Sequence, residues 1–252
     1  MKRVALVVFS STSSLCGGFN ANVIKMMTKG VESLASELGK DNVEVYPIGR
    51  KVAEKARKLG YKVMCDLSDL IDHPNVQQCI DLAMELGERF ADGEIDRVEL
   101  IYHHFKSAGS QILTQRTFLP IDVETELQRD HERDLSLNIA TQKAQEYLRK
   151  KGRRQRQTGE DGGVPPLNDN FIVEPDLYTV LSQLIPKFAH LMLYTAVLDS
   201  VASEHAARMV AMQTATDNAD ELLRELNLQY NKSRQQAITS ELLDIVGGSV
   251  NN

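Results

Sequence analysis

The sequence predicts an α/β fold: a Rossmann-like layered domain followed by a long C-terminal helix that forms a coiled-coil shaft. Three observations carry this. Apolar runs such as Val4–Phe9 are continuous, as in strands covered on both faces. Strand-like and helix-like stretches alternate through the first 122 residues. From Lys187 to Val246 there is neither Gly nor Pro.

The elements follow in order. Val4–Phe9 reads as the first strand. Asn22–Leu38 reads as a helix, with Val23, Ile24, Met27, Val31, Leu34 and Leu38 on one stripe and Gly39 as its stop. Val43–Ile48 is a second strand, Lys51–Leu59 a short helix and Tyr61–Met64 a third strand. Val76–Phe90 is helical, with Val76, Ile80, Ala83, Met84 and Phe90 at suitable spacing. Arg97–Phe105 and Gln111–Phe118 are two more strands around the turn Ser107-Ala108-Gly109. Residues 1–122 form the globular domain, 123–170 a connecting segment and 171–252 the long helix. Within the connection, RKKGRRQRQTGEDGGVPPLNDN has the composition of a surface loop or linker. Its basic half is followed at once by acidic and proline residues, and no aromatics interleave for stacking on bases.

The stretch from Lys187 to Val246 sets a length problem. As one helix it spans about 90 Å, about twice the diameter of a compact chain of this size. It must protrude or break. Alternate steps of four and three from Leu184 reach Phe188, Leu191, Thr195, Leu198, Ala202, His205, Met209, Met212, Thr216, Ala219, Leu223, Leu226 and Tyr230. That is a loose repeat of period 3.5, the mark of a coiled-coil seam. A bundle of shorter helices with unmarked turns is the alternative.

Composition narrows the function. A formal net charge of −6 gives no global electrostatic case for nucleic acid. Cys16, Cys65 and Cys79 are an odd number without metal-ligand spacing, so neither a disulfide framework nor a zinc site is expected, and a reducing compartment is the better reading. The apolar start is too short and β-branched for a signal peptide. No run of 18 apolar residues occurs, so no membrane insertion is expected.

Catalytic constellations are equally scarce. SLCGGFN places Gly17 and Gly18 between a strand and a helix, where nucleotides often bind, but neither the Walker A nor the GxGxxG pattern is complete. The helix start beyond it could still hold an anion. HERDLSLN, His131–Asn138, has the look of a kinase catalytic loop, but it carries an inserted Glu132 and lacks every companion motif. His103 and His104 point to opposite faces of a strand and cannot share one metal. His205 lies on the seam as a packed or capping residue, and Glu204, Asp217, Asp220 and Glu221 make a solvated helix face. No catalytic residue, metal ligand or cofactor site is expected.

The segment SEHAARMVAMQTATDNADELLRELNLQYNKSRQQAITSELLDIVGG closely resembles the terminal helix of the gamma subunit of F-type ATP synthases. SLCGGFNANV is similar to that family's loop after the first strand, and FIVEPD, Phe171–Asp176, to the entry into its C-terminal helix. The resemblance implies a non-catalytic central rotary shaft that couples proton flow through a membrane ring to ATP synthesis or hydrolysis. Its partners would be the alpha, beta and epsilon subunits and the c-ring, on the cytoplasmic face of a bacterial plasma membrane. It also implies that Gly17 and Gly18 form a structural loop, and that Arg234 and Gln235 contact a loop of a catalytic beta subunit. The small-residue surface Ala206, Ala207, Ala211 and Ala215 would let the helix turn in a narrow bore. Gamma subunits open with a helix that winds antiparallel around the C-terminal one, whereas Met1 here stands at the first strand, so the family's N-terminal helix is expected to be lacking. Ser13 and Ser14 stand where the family usually has a charged residue and a glycine. Two other readings remain: a nucleotide-binding α/β enzyme with a helical oligomerisation handle, and a coiled-coil scaffold capped by a globular domain.

Overall fold

A computed structural model describes residues 3–65, 67–121 and 173–249, with side chains as far as Val246. The elements are β1 (Val4–Phe9), α1 (Phe19–Leu38), β2 (Val43–Ile48), α2 (Arg50–Lys58), β3 (Lys62–Val63), α3 (Asp69–Asp72), α4 (Val76–Ala91), β4 (Arg97–Ser107), β5 (Ser110–Leu119) and α5 (Leu177–Ser249). HERDLSLN and the basic loop at 149–170 lie outside the described residues.

The five strands form one sheet in the order β3-β2-β1-β4-β5. β1 runs parallel to both of its neighbours, and β5 returns antiparallel to β4 through a tight hairpin. Alternation along β1 sends Val4, Leu6 and Val8 to one face and Ala5, Val7 and Phe9 to the other. The first face packs on Val23, Met27 and Val31 of α1 and on Val52 and Ala56 of α2. The second meets Leu70 and Ile71 of α3, Cys79, Leu82 and Leu86 of α4, and Met192, Leu193, Ala196 and Val197 of α5. The long helix is therefore part of the domain's own core. Each large side chain buried there is worth roughly 1.5–3 kcal/mol.

The structure shifts some boundaries. α1 begins at Phe19 rather than Asn22, because Phe19 is buried and extends the stripe of Val23, Met27 and Val31 by one turn. α3 was not anticipated, since a single turn is too short to show a period. α5 starts at Leu177 and carries Pro186 inside it. It is one continuous helix, so the bundle of shorter helices does not form.

The rim of the sheet holds an ion cluster. Glu44, 1% exposed, accepts from Nζ of Lys62 at 2.7 Å and from Arg89 at 2.8 Å, and Arg89 also donates to the Tyr46 hydroxyl. Burial pushes the Glu44 carboxyl up, but the bonds and charges of Arg89 and Lys62 outweigh it and hold the group below its ordinary 4.5. A carboxyl held down by folding stabilises the fold above its unfolded pKa and loses that contribution as pH falls through the folded value. Glu44→Gln is expected to cost about 2 kcal/mol at pH 7 and progressively less below pH 4.5. Urea unfolding at several pH values checks this, and an equal cost at pH 3 and pH 7 would contradict it.

Candidate functional site

In an open α/β sheet, ligands bind beyond the carboxyl ends of the strands, where the strand order reverses. Here that point lies between β1 and β4. α5 runs through it. Ser203, fully buried, donates its hydroxyl to the carbonyl of His103 in β4, at 3.1 Å. Glu204, 4% exposed, accepts from Oγ of Ser11 just past β1 at 2.8 Å. Arg208, one turn further, donates to both Glu204 and Oγ of Ser13. Glu204 was read from the sequence as part of a solvated face; the structure buries it instead, because the β1–α1 loop closes over that side of the helix.

The loop between β1 and α1 is tied together by Asn20, whose side chain accepts from Ser11 N at 3.0 Å and donates to the Ser13 carbonyl at 2.9 Å. Thr12 donates to Asp72 of α3 at 2.8 Å, anchoring the loop on its other side. Gly17 has φ +57°, a left-handed turn that a side chain disfavours, and a Cβ placed there would lie 3.7 Å from that of Ala211. Gly18 is the residue before α1, and its carbonyl accepts from Asn22 N. Gly17 thus brings the loop against α5, and Gly18 leads it into α1. Ala206 is buried and Ala207 and Ala211 are half-buried, so three of the four alanines expected to face a bore lie on the domain side; Ala215 alone is exposed.

The histidines separate as their alternation requires. His103 is buried, stacks on Phe19 with ring centroids 4.1 Å apart, and is pushed down to about 4 by burial. His104 points the other way and bonds Asp199 of α5 through Nδ1 at 2.6 Å. His205 is exposed beside Arg208 rather than packed or capping. Among the described residues, no group of three or more His, Cys, Asp or Glu is arranged to hold a metal.

The period-3.5 seam is not the face that docks on the domain. Leu184, Phe188, Leu191, Leu198, Met209 and Met212 are all exposed, while the docking face is Met192, Leu193, Ala196, Val197, Ser200 and Ser203. This part of α5 therefore has two apolar faces, one filled by the sheet. From Met212 to Val246 every side chain is exposed, a projection of roughly 50 Å. Arg234 and Gln235 lie on it, about 35 Å beyond Ala211 along the axis. No helix among the described residues is long and apolar enough to cross a membrane.

The ties that hold α5 were not recognised from the sequence. Glu204 and Arg208 have the i, i+4 spacing of an ordinary surface ion pair, and only the fold places Ser11 and Ser13, some 195 positions earlier, against them.

The family model described as "ATP synthase" matches residues 1–250. The chain is 48% identical over 250 residues to an ATP synthase gamma chain of Bacteroides thetaiotaomicron, covering 99% of this chain and 76% of that one. It is 47% identical to that of Phocaeicola vulgatus, covering 99% and 75%. Among solved structures it is similar in fold to a chain of the Euglena gracilis mitochondrial ATP synthase, described as OSCP/F1/c-ring. There the TM-score is 0.56 at 20% identity, over 99% of this chain and 72% of that one. A chain of the central stalk and c-ring of the Tetrahymena thermophila enzyme gives a TM-score of 0.54 at 22% identity, over 85% and 77%.

Proposed function

The chain belongs to the ATP synthase gamma-chain family, and from that membership we propose how it works. It is the central rotary shaft, a subunit that couples proton flow through a membrane ring to ATP synthesis or hydrolysis in an alpha/beta hexamer. The observation that carries this is α5 itself: one helix of 73 residues, built into the core of an α/β domain within its first third and projecting bare beyond it. A rigid rod fixed to a globular base is the shape needed to carry rotation from one end of an assembly to the other. The base meets the epsilon subunit and the c-ring, and the projecting end enters the hexamer. The chain works on the cytoplasmic face of a bacterial plasma membrane as a peripheral part of the complex.

The shaft has no active site or cofactor of its own. The crevice that would receive a nucleotide in an enzyme of this topology is filled by α5, and the carboxylate of Glu204 lies beside the loop where a phosphate would need positive charge. Gly17 and Gly18 accordingly serve as a structural loop that lets the chain turn against the helix. The second reading, a nucleotide-binding enzyme, requires the full chain alone to bind Mg-ATP at micromolar concentration in calorimetry.

Arg234 and Gln235 make the directional contact with a beta-subunit loop that distinguishes three otherwise equal catalytic sites. Assembled with the alpha and beta subunits of its own organism, the chain is expected to co-elute with them. Arg234→Ala with Gln235→Ala should lower ATPase turnover about tenfold, the scale of a lost charge-assisted hydrogen bond, and leave the α/β domain folded. Unchanged turnover in the double variant would remove these two residues from the mechanism, and failure of the unaltered chain to co-elute would remove the shaft.

A further inference from the structure

The structure contains two kinds of contact between α5 and its domain, and they do different mechanical work. Met192, Leu193, Ala196 and Val197 lie in an apolar layer on the sheet. Such contacts hold area rather than direction, so they resist the removal of the helix far better than its rotation about its own axis. Two to three turns further on, beside the buried Ala206, directional contacts join the apolar ones. Glu204 accepts from Ser11, Arg208 bridges Glu204 and Ser13, and Ser203 donates to the His103 carbonyl.

We propose that Glu204, with Arg208, Ser11 and Ser13, is the positioning residue of a rotational latch that passes torque between the shaft helix and the α/β base. This rests on the shaft reading above. Side-chain heads on a helix lie about 6 Å from its axis. A turn of about 20° therefore sweeps the Glu204 carboxylate by roughly 2 Å, beyond the reach of the Ser11 hydroxyl. The carboxylate is 4% exposed and cannot exchange its partners for water on the way. The latch is thus engaged in one angular register only. Asn20 and the Thr12–Asp72 bond fix the Ser11–Ser13 loop to α1 and α3, so the strain passes into the whole base rather than into a free loop. His104 with Asp199 adds a second directional tie one turn before Ser203, on the same helix.

The test uses membranes carrying the intact complex. Glu204→Gln is expected to lower the number of protons moved per ATP hydrolysed by about threefold or more, since losing a charge-assisted bond changes occupancy of the engaged register about tenfold. Asp220→Asn, on the exposed projection, should leave that ratio unchanged. A covalent substitute for the latch is available. The Gly17 and Ala211 Cβ positions, 3.7 Å apart, fall within disulfide range. Gly17→Cys with Ala211→Cys, in a Cys16→Ser background, should restore the ratio to the Glu204→Gln complex on oxidation. An unchanged ratio in Glu204→Gln, or a loss that the cross-link does not restore, would overturn the latch. Hydrogen exchange on the full chain alone gives an independent arm. Uptake at residues 203–211 should rise about tenfold in Glu204→Gln while Met192–Val197 stays protected, and equal protection in both chains would also overturn it. Failure of the unaltered chain to join the complex would count against the shaft reading, with the exchange arm still deciding the latch.

Discussion

Replacing Gly49 with alanine is expected to destabilise the domain by roughly 3–5 kcal/mol, the sum of a forbidden backbone conformation and an overpacked contact. Gly49, between β2 and α2, has φ +107° and ψ 142°, where L residues are rarely found. A Cβ there would lie 1.9 Å from the Ser10 carbonyl oxygen. Neither side can yield cheaply. Ser10 N donates to the Ile48 carbonyl at 2.8 Å, and its hydroxyl accepts from Val52 N at 3.0 Å, the first turn of α2. Moving Ser10 would break a link between β1 and β2 and uncap α2 together. It would also pull on Ser11, whose carbonyl accepts from Lys51 N and whose hydroxyl holds Glu204. Urea unfolding of the full chain measures the loss, and a change below about 1 kcal/mol would show that the close approach relaxes without cost.

A proline at Ala219 is expected to abolish coupling while the domain stays folded. Proline in a helix interior costs about 3 kcal/mol through a lost hydrogen bond and a clash with the preceding turn. Ala219 lies in the stretch from Met212 to Val246, where every side chain is exposed and no packing against the domain offsets the break. The helix should therefore kink or melt locally, since short helices depend on packing for their stability. A rod broken there cannot carry rotation to Arg234 and Gln235. Pro186 shows that position matters: it is the tenth residue of α5, and the carbonyl of Ser182 that it leaves without a helical donor belongs to an exposed residue. Proton pumping by the Ala219→Pro complex gives the answer. Full pumping would mean that the projection need not be continuous.

Much of the architecture was legible because it rests on local periodicity. β1 and β2 stand at the positions their apolar runs indicated, and α4 differs from its stripe by one residue. The continuity of α5 followed from the absence of any stop signal after Lys187. What stayed hidden depended on contacts distant in sequence. A period of 3.5 marked the seam of Leu184, Phe188 and Leu191, yet these are exposed and the neighbouring stripe docks. Both stripes are apolar, and periodicity alone cannot say which of two apolar faces the sheet will take. Glu204 illustrates the same limit for the site. A glutamate four positions before an arginine is ordinary helix surface until a serine from the other end of the chain closes over it.

The use of α5 as a wall of the core has a consequence for how the chain is made. The β-sheet is complete at Leu119, but the face bearing Phe9, Tyr46, Ile48 and Leu100 is finished only by Met192, Leu193, Ala196 and Val197. At roughly 5–20 residues per second, a ribosome needs about 4–15 s to travel from Leu119 to Met192. For that interval the nascent sheet presents an unfinished greasy surface, on a timescale far longer than hydrophobic collapse. A chaperone that shields apolar segments therefore has a natural window on this chain, and it closes when the helix emerges and seals the sheet.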